Sequence, residues 1–322
     1  MPLPADWTAR MRLPVICAPM FRVTSPALVI AARRAGIVGA LPRGNAPDFA
    51  TFECWLAQIA EAAAGQPAPP LAVNLSTRLS PDEMAQHLAA CRRHGVELII
   101  SATGDPSMLI AQAHDHGMRV FADAVNLRFA EKAIAAGTDG VIAIGAGGGG
   151  HSGTVNHLTL VAAIRRRFDG IVVMAGAISD GRAVRAAELL GAELAYVGTR
   201  FIASTESGAS PAYKQMLVEA RATDLAYTPA FNGVPANWLR PSMRRVGLDP
   251  DNLPPRPPET RGYGHLPDGV VPWSTLWSAG QGVELIEDVR PVADLVAQFE
   301  REYRAACAVP VFGSAANTAP AA

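Results

Sequence analysis

Residues 144–153 read IGAGGGGHSG, and this stretch decides between two α/β folds. Its glycines form the pattern G-x-G-x-x-G behind an apolar run, as in a dinucleotide-binding turn. Such a turn also needs a helix that begins within the glycines and an acidic residue at the end of the next strand, which binds the ribose. Here the next credible helix begins at about Asn156, and the next strand ends in VVMAG (172–176) without an acidic residue. The stretch therefore disfavours a dinucleotide-binding fold.

The chain around this stretch alternates between short apolar runs and Ala- and Leu-rich segments with helical periodicity. Runs that are apolar on both faces and separated by helix-length segments are typical of a buried parallel sheet built from βαβ units. Eight runs are predicted as strands: VICAP (15–19), IVGAL (37–41), LAVNL (71–75), VELII (96–100), MRVFAD (118–123), GVIAIG (140–145), GIVVMAG (170–176) and ELAYVG (193–198).

Helix boundaries agree with this alternation. Ser25 and Ser80 each offer an N-cap and are followed by a proline, which suits the first turn of a helix. Gly36 and Gly95 follow these two helices, where glycine can adopt the left-handed backbone that ends a helix. No predicted strand is polar enough, or broken enough by proline, to be an obvious edge of the sheet. We therefore predict an α/β fold, a (β/α)8 TIM barrel, rather than an open doubly wound sheet.

The alternation stops after Thr205. Residues 206–288, here called the cap segment, are rich in proline and glycine, and an amphipathic helix pattern returns from Val289. Because barrels build their sites at the carboxyl ends of the strands, we predict that the cap segment is a small cap or substrate domain inserted after strand eight. The predicted organisation is a barrel of residues 1–205 plus 289–310, a cap domain of residues 206–288 and a flexible tail of residues 311–322.

The composition excludes several kinds of partner. The 322 residues are 49% hydrophobic and 18% charged with a net charge of −1, which gives no general attraction to nucleic acid or to anionic membranes. No stretch has the length and apolar character of a membrane span, and the N-terminus lacks the pattern of a signal peptide. The four cysteines form no C-x-x-C pair and the histidines show no metal-ligand spacing. These features predict buried reduced thiols in a cytoplasmic protein without a metal site, and they leave a homodimer open.

Three glycine-containing loops follow the sixth, seventh and eighth predicted strands. The first, residues 145–153, is here called the glycine loop, and His151 is its only titratable side chain. Catalytic residues of barrels come from the carboxyl ends of the strands, so we expect His151 to take part in the chemistry. The other two, AGAISDGRA (175–183) and GTRF (198–201), lie at the pair of strand ends between which barrels commonly bind a phosphate group. The pattern predicts a phosphorylated cofactor.

Six motifs in order along nearly the whole chain carry a family resemblance: APM (18–20), VNL (73–75), the glycine loop with its histidine, AGAISDGRA (175–183), GTRF (198–201) and WSAGQG (277–282). Together they resemble the nitronate monooxygenase family, formerly grouped as 2-nitropropane dioxygenases, and its relatives among the FMN-dependent TIM-barrel flavoproteins. Each motif alone is weak, whereas their order and placement make the set specific.

The resemblance implies FMN as the cofactor. The residues that match the cofactor-binding positions are Ala18, Pro19 and Met20 beside the flavin ring, Asn74 as a polar contact, Gly149 and Gly150 against the ring, and Gly176, Ala177, Gly198 and Thr199 at the phosphate. In such enzymes an alkyl nitronate is oxidised by FMN, dioxygen reacts with the reduced flavin, and a carbonyl compound and nitrite result. His151 matches the active-site histidine, which would bind the nitronate or remove the α-proton of a neutral nitroalkane.

The sequence departs from the family pattern at three positions. Many relatives carry Gln at the position of Ile144 and an acidic residue at that of Gly147. Asp123, on the fifth predicted strand, occupies a cofactor-binding position where some relatives have a basic or amide side chain. A carboxylate that points towards the flavin would disfavour an anionic reduced ring. These departures bear on the substrate more than on the cofactor.

Two alternatives stay open, because relatives with other activities share the same motifs. The first is an NAD(P)H:quinone reductase or an enoyl-thioester reductase on the same FMN barrel. The second is a barrel that binds a phosphorylated ligand without redox chemistry. Tyr213, Lys214, Trp238 and Trp273 in the cap segment are candidates for facing a substrate, and packing explains them equally well.

Overall fold

The structure is a computed structural model that describes residues 2–102, 104–260 and 262–312. Its strands are β1 (Val15–Cys17), β2 (Val38–Pro42), β3 (Leu71–Ser76), β4 (Val96–Ala102), β5 (Arg119–Ala124), β6 (Gly140–Ile144), β7 (Gly150–His151), β8 (Ile171–Ala175), β9 (Leu194–Val197), β10 (Leu225–Thr228) and β11 (Ala236–Leu239). The eight predicted strands correspond to β1–β6, β8 and β9. All eight are confirmed, with ends that differ by at most two residues.

These eight strands form a closed barrel in the order β1-β2-β3-β4-β5-β6-β8-β9. All neighbouring strands are parallel, and β1 closes the ring by pairing with both β2 and β9. On β1, Ile16 lies opposite Val38 on one side and opposite Tyr196 on the other. Closure leaves no barrel strand with an unpaired edge. The predicted (β/α)8 TIM barrel is therefore confirmed.

The helices begin and end at local signals that the sequence carries. Ser80 and Glu83 form a capping box at the start of α4, and Gly95, with φ of +70°, lies just beyond its end. The helices are α1 (Ala5–Thr8), α2 (Pro26–Arg34), α3 (Phe49–Glu61), α4 (Pro81–Arg93), α5 (Ser107–Asp115), α6 (Leu127–Ala135), α7 (His157–Arg165), α8 (Gly181–Leu189), α9 (Thr199–Ile202), α10 (Pro211–Glu219), α11 (Arg240–Arg245) and α12 (Val292–Cys307), with 3₁₀ turns at Arg43–Asn45, Ala222–Asp224 and Gln281–Leu285.

The interior of the barrel is filled with side chains and becomes polar only where the strands end. Trp7 of α1 packs beneath Phe121, with 6.2 Å between the ring centroids, and buried aliphatic side chains fill the middle. Asn74, Asp123 and Tyr196 stand near the carboxyl ends of β3, β5 and β9. An apolar, packed barrel thus presents a few polar groups at the end where barrels carry their sites.

The cap segment shares a sheet with the glycine loop. Strand β11 pairs antiparallel with β10 on one side and with β7 on the other, where Ala236 lies opposite His151. Judged by sequence alone, NGVPAN (232–237) and WLRP (238–241) look like a loop that crosses the barrel mouth. This expectation is wrong for Ala236–Leu239, which form a strand. These residues become a strand because all four pair with β10, and Ala236 and Asn237 also pair with β7, which is remote in sequence and only two residues long. We propose that residues 1–205 plus 289–310 form the barrel and that residues 206–288 form a cap domain.

Helix α12 packs back onto the barrel. Its buried Phe299 lies in the same core as Val184 of α8 and Leu28 of α2. Gly181 allows the start of α8 to approach this helix closely, because a Cβ on Gly181 would lie 2.0 Å from the carbonyl oxygen of Phe299. Of the predicted tail, residues 311–322, only the first two lie among the described residues, and both are exposed.

The cysteines correct one expectation. Cys17 and Cys91 are buried, whereas Cys54 and Cys307 are exposed, and all four are unpaired. The prediction of buried thiols is therefore wrong for two of them, because they occupy solvent-facing positions of α3 and α12. Among residues 2–102, 104–260 and 262–312, no helix has both the length and the apolar character that crossing a bilayer requires.

Candidate active site

A cavity of about 380 Å³ opens at the carboxyl ends of the barrel strands. It is lined by every residue that the sequence predicted for the site: Ala18, Pro19, Met20, Asn74, Asp123, Gly149, Gly150, His151, Gly176, Ala177, Gly198 and Thr199. The structure brings these residues together from six barrel strands and their loops. That these residues contact a cofactor is a prediction.

Three polar side chains lie on the floor of this cavity. Asn74 Nδ2 donates a hydrogen bond to the carbonyl oxygen of Ile100 at 3.2 Å. Asp123 Oδ1 is buried without a hydrogen-bond partner, and burial raises the pKa of this carboxyl group to about 7. Burial, and to a smaller extent the neighbouring Asp123, raises the pKa of Tyr196 well above its usual value. Because buried polar atoms are normally paired, Asp123 indicates that a ligand with polar groups binds here.

The glycine loop packs directly on two other backbone segments. The carbonyl oxygen of Gly147 accepts hydrogen bonds from the N–H groups of Ala177 at 3.1 Å and Gln281 at 2.9 Å. A Cβ on Gly149 would lie 2.8 Å from the nitrogen of Gly280. Side chains cannot be accommodated at such contacts, which explains why this loop consists mainly of glycine.

The loops after β8 and β9 add hydroxyl groups to the cavity. Thr199 Oγ1 accepts a hydrogen bond from the N–H of Gly280 at 2.9 Å, so its own proton can be donated to a ligand. Ser179 Oγ is buried without a partner, and Ser179 lines the cavity. Asp180 caps α8 instead, by accepting from the N–H of Ala183 at 2.7 Å. The sequence missed Ser179 because both residues suited the N-cap position.

His151 lines the cavity from β7 and is held by the cap segment. Asn232 Nδ2 lies 2.6 Å from His151 Nε2, and Trp273 packs edge-on against the imidazole, with 5.2 Å between ring centroids. Burial lowers the pKa of His151, which favours the neutral imidazole. The sequence singled out His151 but missed Asn232, because no local pattern connects residues that are 81 positions apart.

Asn237 of β11 fixes the conformation of the glycine loop. Its Nδ2 lies 2.7 Å from the carbonyl oxygen of Gly148, 3.1 Å from Ser152 Oγ and 3.2 Å from the carbonyl oxygen of Ala146. The hydroxyl of Tyr227 on β10 donates to the carbonyl oxygen of Ser152 at 2.8 Å. The cap segment therefore holds the loop that carries His151 through side chains as well as through the β7–β11 pairing.

Aromatic residues form part of the cavity wall. Trp273 and Tyr213 line the cavity, and Phe21 packs edge-on against Trp273 with 6.0 Å between ring centroids. Trp238 is fully buried and contacts Trp273, but it does not line the cavity, and neither does Lys214. Two of the four cap-segment candidates are thus placed at the site, and Trp238 instead supports the wall from behind.

The closed barrel and its glycine-floored cavity with a single histidine are those of a TIM-barrel oxidoreductase. The family model described as nitronate monooxygenase matches residues 51–302, and the chain belongs to this family. The predicted resemblance is confirmed, and the chain is an enzyme of a family that uses flavin. Family membership supports the oxidation of nitronates as its general activity.

Individual relatives agree with this assignment. The nitronate monooxygenase of Paraburkholderia phytofirmans is 29% identical, in an alignment that covers 90% of this chain and 92% of that protein. The nitronate monooxygenase of Pseudomonas aeruginosa is 33% identical over 58% of each protein. The structure of FabK from Thermotoga maritima is 25% identical with a TM-score of 0.74, over 92% of this chain and 94% of that one. The structure of nitroalkane oxidase from Streptomyces ansochromogenes, at 24% identity and a TM-score of 0.72 over 94% and 99% of the two chains, shows the same fold.

Proposed function

We propose that this enzyme oxidises alkyl nitronates with FMN and dioxygen and releases a carbonyl compound and nitrite. The proposal is carried by one observation: His151 and the bare backbone of the glycine loop line the same cavity as the loops after β8 and β9. A flat, phosphorylated cofactor suits a surface in which backbone replaces side chains, with one imidazole beside it. Family membership supports nitronate oxidation as the general activity. The use of FMN and dioxygen and the identity of the products are proposed here.

The residues of the cavity fit FMN at both of its ends. Asp123 Oδ1 and Ser179 Oγ are buried polar atoms without hydrogen-bond partners. A bound cofactor would supply these partners. We assign Gly176, Ala177, Ser179, Gly198 and Thr199 to the phosphate, Ala18, Pro19, Met20, Gly149 and Gly150 to the flavin ring, and Asn74 and Asp123 to polar contacts with the ring.

The protein would position the substrate, and FMN, when bound, would supply the redox chemistry that links oxidation of the nitronate to reduction of dioxygen. His151 would either bind the anionic nitronate group or remove the α-proton of a neutral nitroalkane, and the second role is worth about 10²–10⁴ in rate. Phe21 and Trp273 place apolar surface near His151, which suits the alkyl part of the substrate.

The test combines a spectrum with a product assay. The purified protein, as isolated or after addition of FMN, should show the absorbance bands of bound flavin. With an alkyl nitronate and dioxygen it should form nitrite and carbonyl compound in equal amounts. A protein that binds FMN without forming nitrite from any nitronate would contradict the proposed substrate, and one that cannot bind FMN would contradict the cofactor.

A quinone reductase or enoyl-thioester reductase on the same barrel is the alternative. Anaerobic mixing with NADH or NADPH separates the two activities. Rapid bleaching of the flavin bands would favour the reductase, whereas bleaching by the nitronate alone supports the oxidation proposed here. A protein without flavin bands that still binds a phosphorylated ligand would instead support a barrel without redox chemistry.

The location and the assembly complete the proposal. We propose a cytoplasmic enzyme, because four unpaired cysteines suit a reducing compartment. Small molecules, namely the nitronate and dioxygen, are its proposed partners, and a homodimer is the assembly to test by light scattering. Neither a nucleic acid nor a membrane surface is proposed as a partner, in view of the net charge of −1.

A further inference from the structure

The contact between Asn232 and His151 identifies the nitrogen of the imidazole that carries the proton. Asn232 Oδ1 accepts a hydrogen bond from the N–H of Val234 at 3.2 Å, and this bond orients the amide group. The NH₂ group of Asn232 then faces His151 Nε2 at 2.6 Å. Rotating the amide by 180° would place its NH₂ group against the N–H of Val234, so that two donors would face each other. The orientation with Oδ1 towards Val234 is therefore preferred.

An acceptor for the NH₂ group of Asn232 must carry a lone pair. His151 Nε2 is therefore unprotonated, and the neutral imidazole carries its proton on Nδ1. Nδ1 has no hydrogen-bond partner in the part of the chain that the structure describes, and His151 lines the cavity. The proton on Nδ1 is thus available to a molecule bound beside it.

The surroundings of His151 preserve this neutral form. The residues packed against it, Asn232, Trp273 and Ala236, are uncharged. The titratable groups that line the same cavity are Asp123, Tyr196 and Tyr213. Burial lowers the pKa of His151, and the raised pKa values of Tyr196 and Tyr213 keep these two hydroxyl groups uncharged at neutral pH.

We propose that Asn232 is a positioning residue, which holds His151 as the Nδ1–H tautomer so that His151 meets the substrate as a hydrogen-bond donor and not as a base. The inference rests on the proposed function, in which the substrate is the nitronate anion, already ionised before it binds. Its negatively charged oxygen accepts the hydrogen bond from Nδ1, and no proton is transferred. A neutral nitroalkane would need a base, but Nε2 is occupied by Asn232 and Nδ1 already carries a proton.

The cap segment holds His151 in two ways at once. Ala236 pairs with the backbone of His151 in the β7–β11 ladder, and Asn232, four residues earlier, binds the side chain. Residues 232–236 of the cap segment thus set the position of both the main chain and the imidazole ring of His151. This coupling lets Asn232 act on the active site through His151, although Asn232 lies outside the six motifs that carry the family resemblance.

The first test is the tautomer itself, which requires no activity. In ¹⁵N NMR spectra of the FMN-bound protein with labelled histidine, the signals of His151 are assigned by their loss in His151→Asn. We expect a protonated, pyrrole-type Nδ1 and an unprotonated, pyridine-type Nε2 at neutral pH. A proton on Nε2 in the unmodified protein would overturn the proposal.

The second test reverses the tautomer with Asn232→Asp. A carboxylate accepts a proton, so we expect Nε2 to become protonated and the pKa of His151 to rise. At a pH above that raised pKa, where the imidazole of the variant is neutral, Nδ1 would carry a lone pair instead of a proton. KM for the nitronate should then rise at least tenfold, while turnover of the neutral nitroalkane improves relative to it. Asn252→Asp, an exposed change elsewhere in the cap segment, should leave the tautomer, the pKa and the substrate ratio unchanged.

The two tests also separate this inference from the proposed function. If the Nδ1–H tautomer is present and Asn232→Asp reverses it, but no nitronate is oxidised, the positioning role stands and the proposed substrate fails. If nitronates are oxidised but Asn232→Asp leaves the tautomer and the substrate ratio as they were, Asn232 has no positioning role. Asn232→Ala removes the donor without adding charge and serves as a second variant if the aspartate variant does not fold. We expect the proton of His151 to be no longer confined to Nδ1 in this variant, and an unchanged Nδ1–H tautomer would count against the positioning role.

Discussion

Thr199 Oγ1 accepts a hydrogen bond from the backbone N–H of Gly280 at 2.9 Å, and this bond joins the end of the last barrel strand to the segment before α12. Gly280 also contacts the glycine loop, since its nitrogen would lie only 2.8 Å from a Cβ on Gly149. Three loops that are distant in sequence therefore hold one another in place around the cavity. The shape of the site depends on these contacts as much as on the residues that would touch a cofactor.

Thr199→Val should lower both stability and FMN affinity. The substitution keeps the shape of the side chain but removes the acceptor for the Gly280 N–H, and an unsatisfied buried donor costs about 1–3 kcal/mol. Denaturant unfolding of the FMN-free protein measures the first effect, and fluorescence titration with FMN measures the second. Thr199→Ser retains the hydroxyl and should preserve most of both. Equal stability of the Val and Ser variants would show that the hydrogen bond contributes little.

Gly149→Ala should disturb the floor of the cavity. The added methyl group would meet the Gly280 nitrogen at 2.8 Å, and the backbone atoms there cannot move without displacing a loop, at a cost of about 1–3 kcal/mol. We expect weaker FMN binding and a lower melting temperature. Gly264→Ala is the matched control, because nothing lies within 4 Å of a Cβ at that position. A Gly149→Ala protein with unchanged FMN affinity would argue against close approach of the cofactor to this loop.

Asp123→Asn should change how the stability of the FMN-free protein depends on pH. Burial raises the pKa of Asp123 from 3.8 to about 7, so the folded state binds a proton that the unfolded state has released between these values. The contribution of Asp123 to the free energy of unfolding should therefore fall by up to about 4 kcal/mol as the pH rises from about 4 to about 7, and then stay level. Removing the carboxylate should abolish that decline.

Urea unfolding at several pH values measures this difference. Asp268→Asn, an exposed change in the cap segment, provides the control for the loss of one carboxylate. If Asp123→Asn and the unmodified protein lose stability in parallel between pH 4 and pH 7, the carboxyl group is not held in its neutral form by burial.

His151→Ala should leave FMN bound and impair the use of the nitronate. A hydrogen bond to a charged group is worth about 1.5–3 kcal/mol, which corresponds to roughly a 10- to 100-fold loss in kcat/KM. His151→Asn retains an N–H donor and should lose less. Steady-state nitrite formation gives the rates, and the flavin spectrum shows that the cofactor is retained. Unimpaired turnover of both variants would remove His151 from the reaction.

Much of the site could be predicted from the sequence because it is built on local signals. Apolar runs of strand length mark β1–β6, β8 and β9, and the carboxyl ends of parallel strands meet at one end of a barrel. His151, Gly176 and Thr199 follow different strands, so the fold alone brings them to one cavity. Ser179 escaped prediction because its place before a helix suited a capping role that Asp180 performs.

The sequence by itself determined the barrel, since strand length, two-sided apolar character and helix signals are properties of each segment and its near neighbours. It also determined that a glycine-rich loop with one histidine would end the sixth barrel strand. Only the tertiary structure decided how that histidine is held. A two-residue strand such as Gly150–His151 has no signal of its own, and it exists because Ala236 and Asn237 of β11 pair with it. The same part of the cap segment places Asn232 against the imidazole. Hydrogen bonds between residues so far apart in the chain depend on the folded cap segment, and no local pattern of residues encodes them.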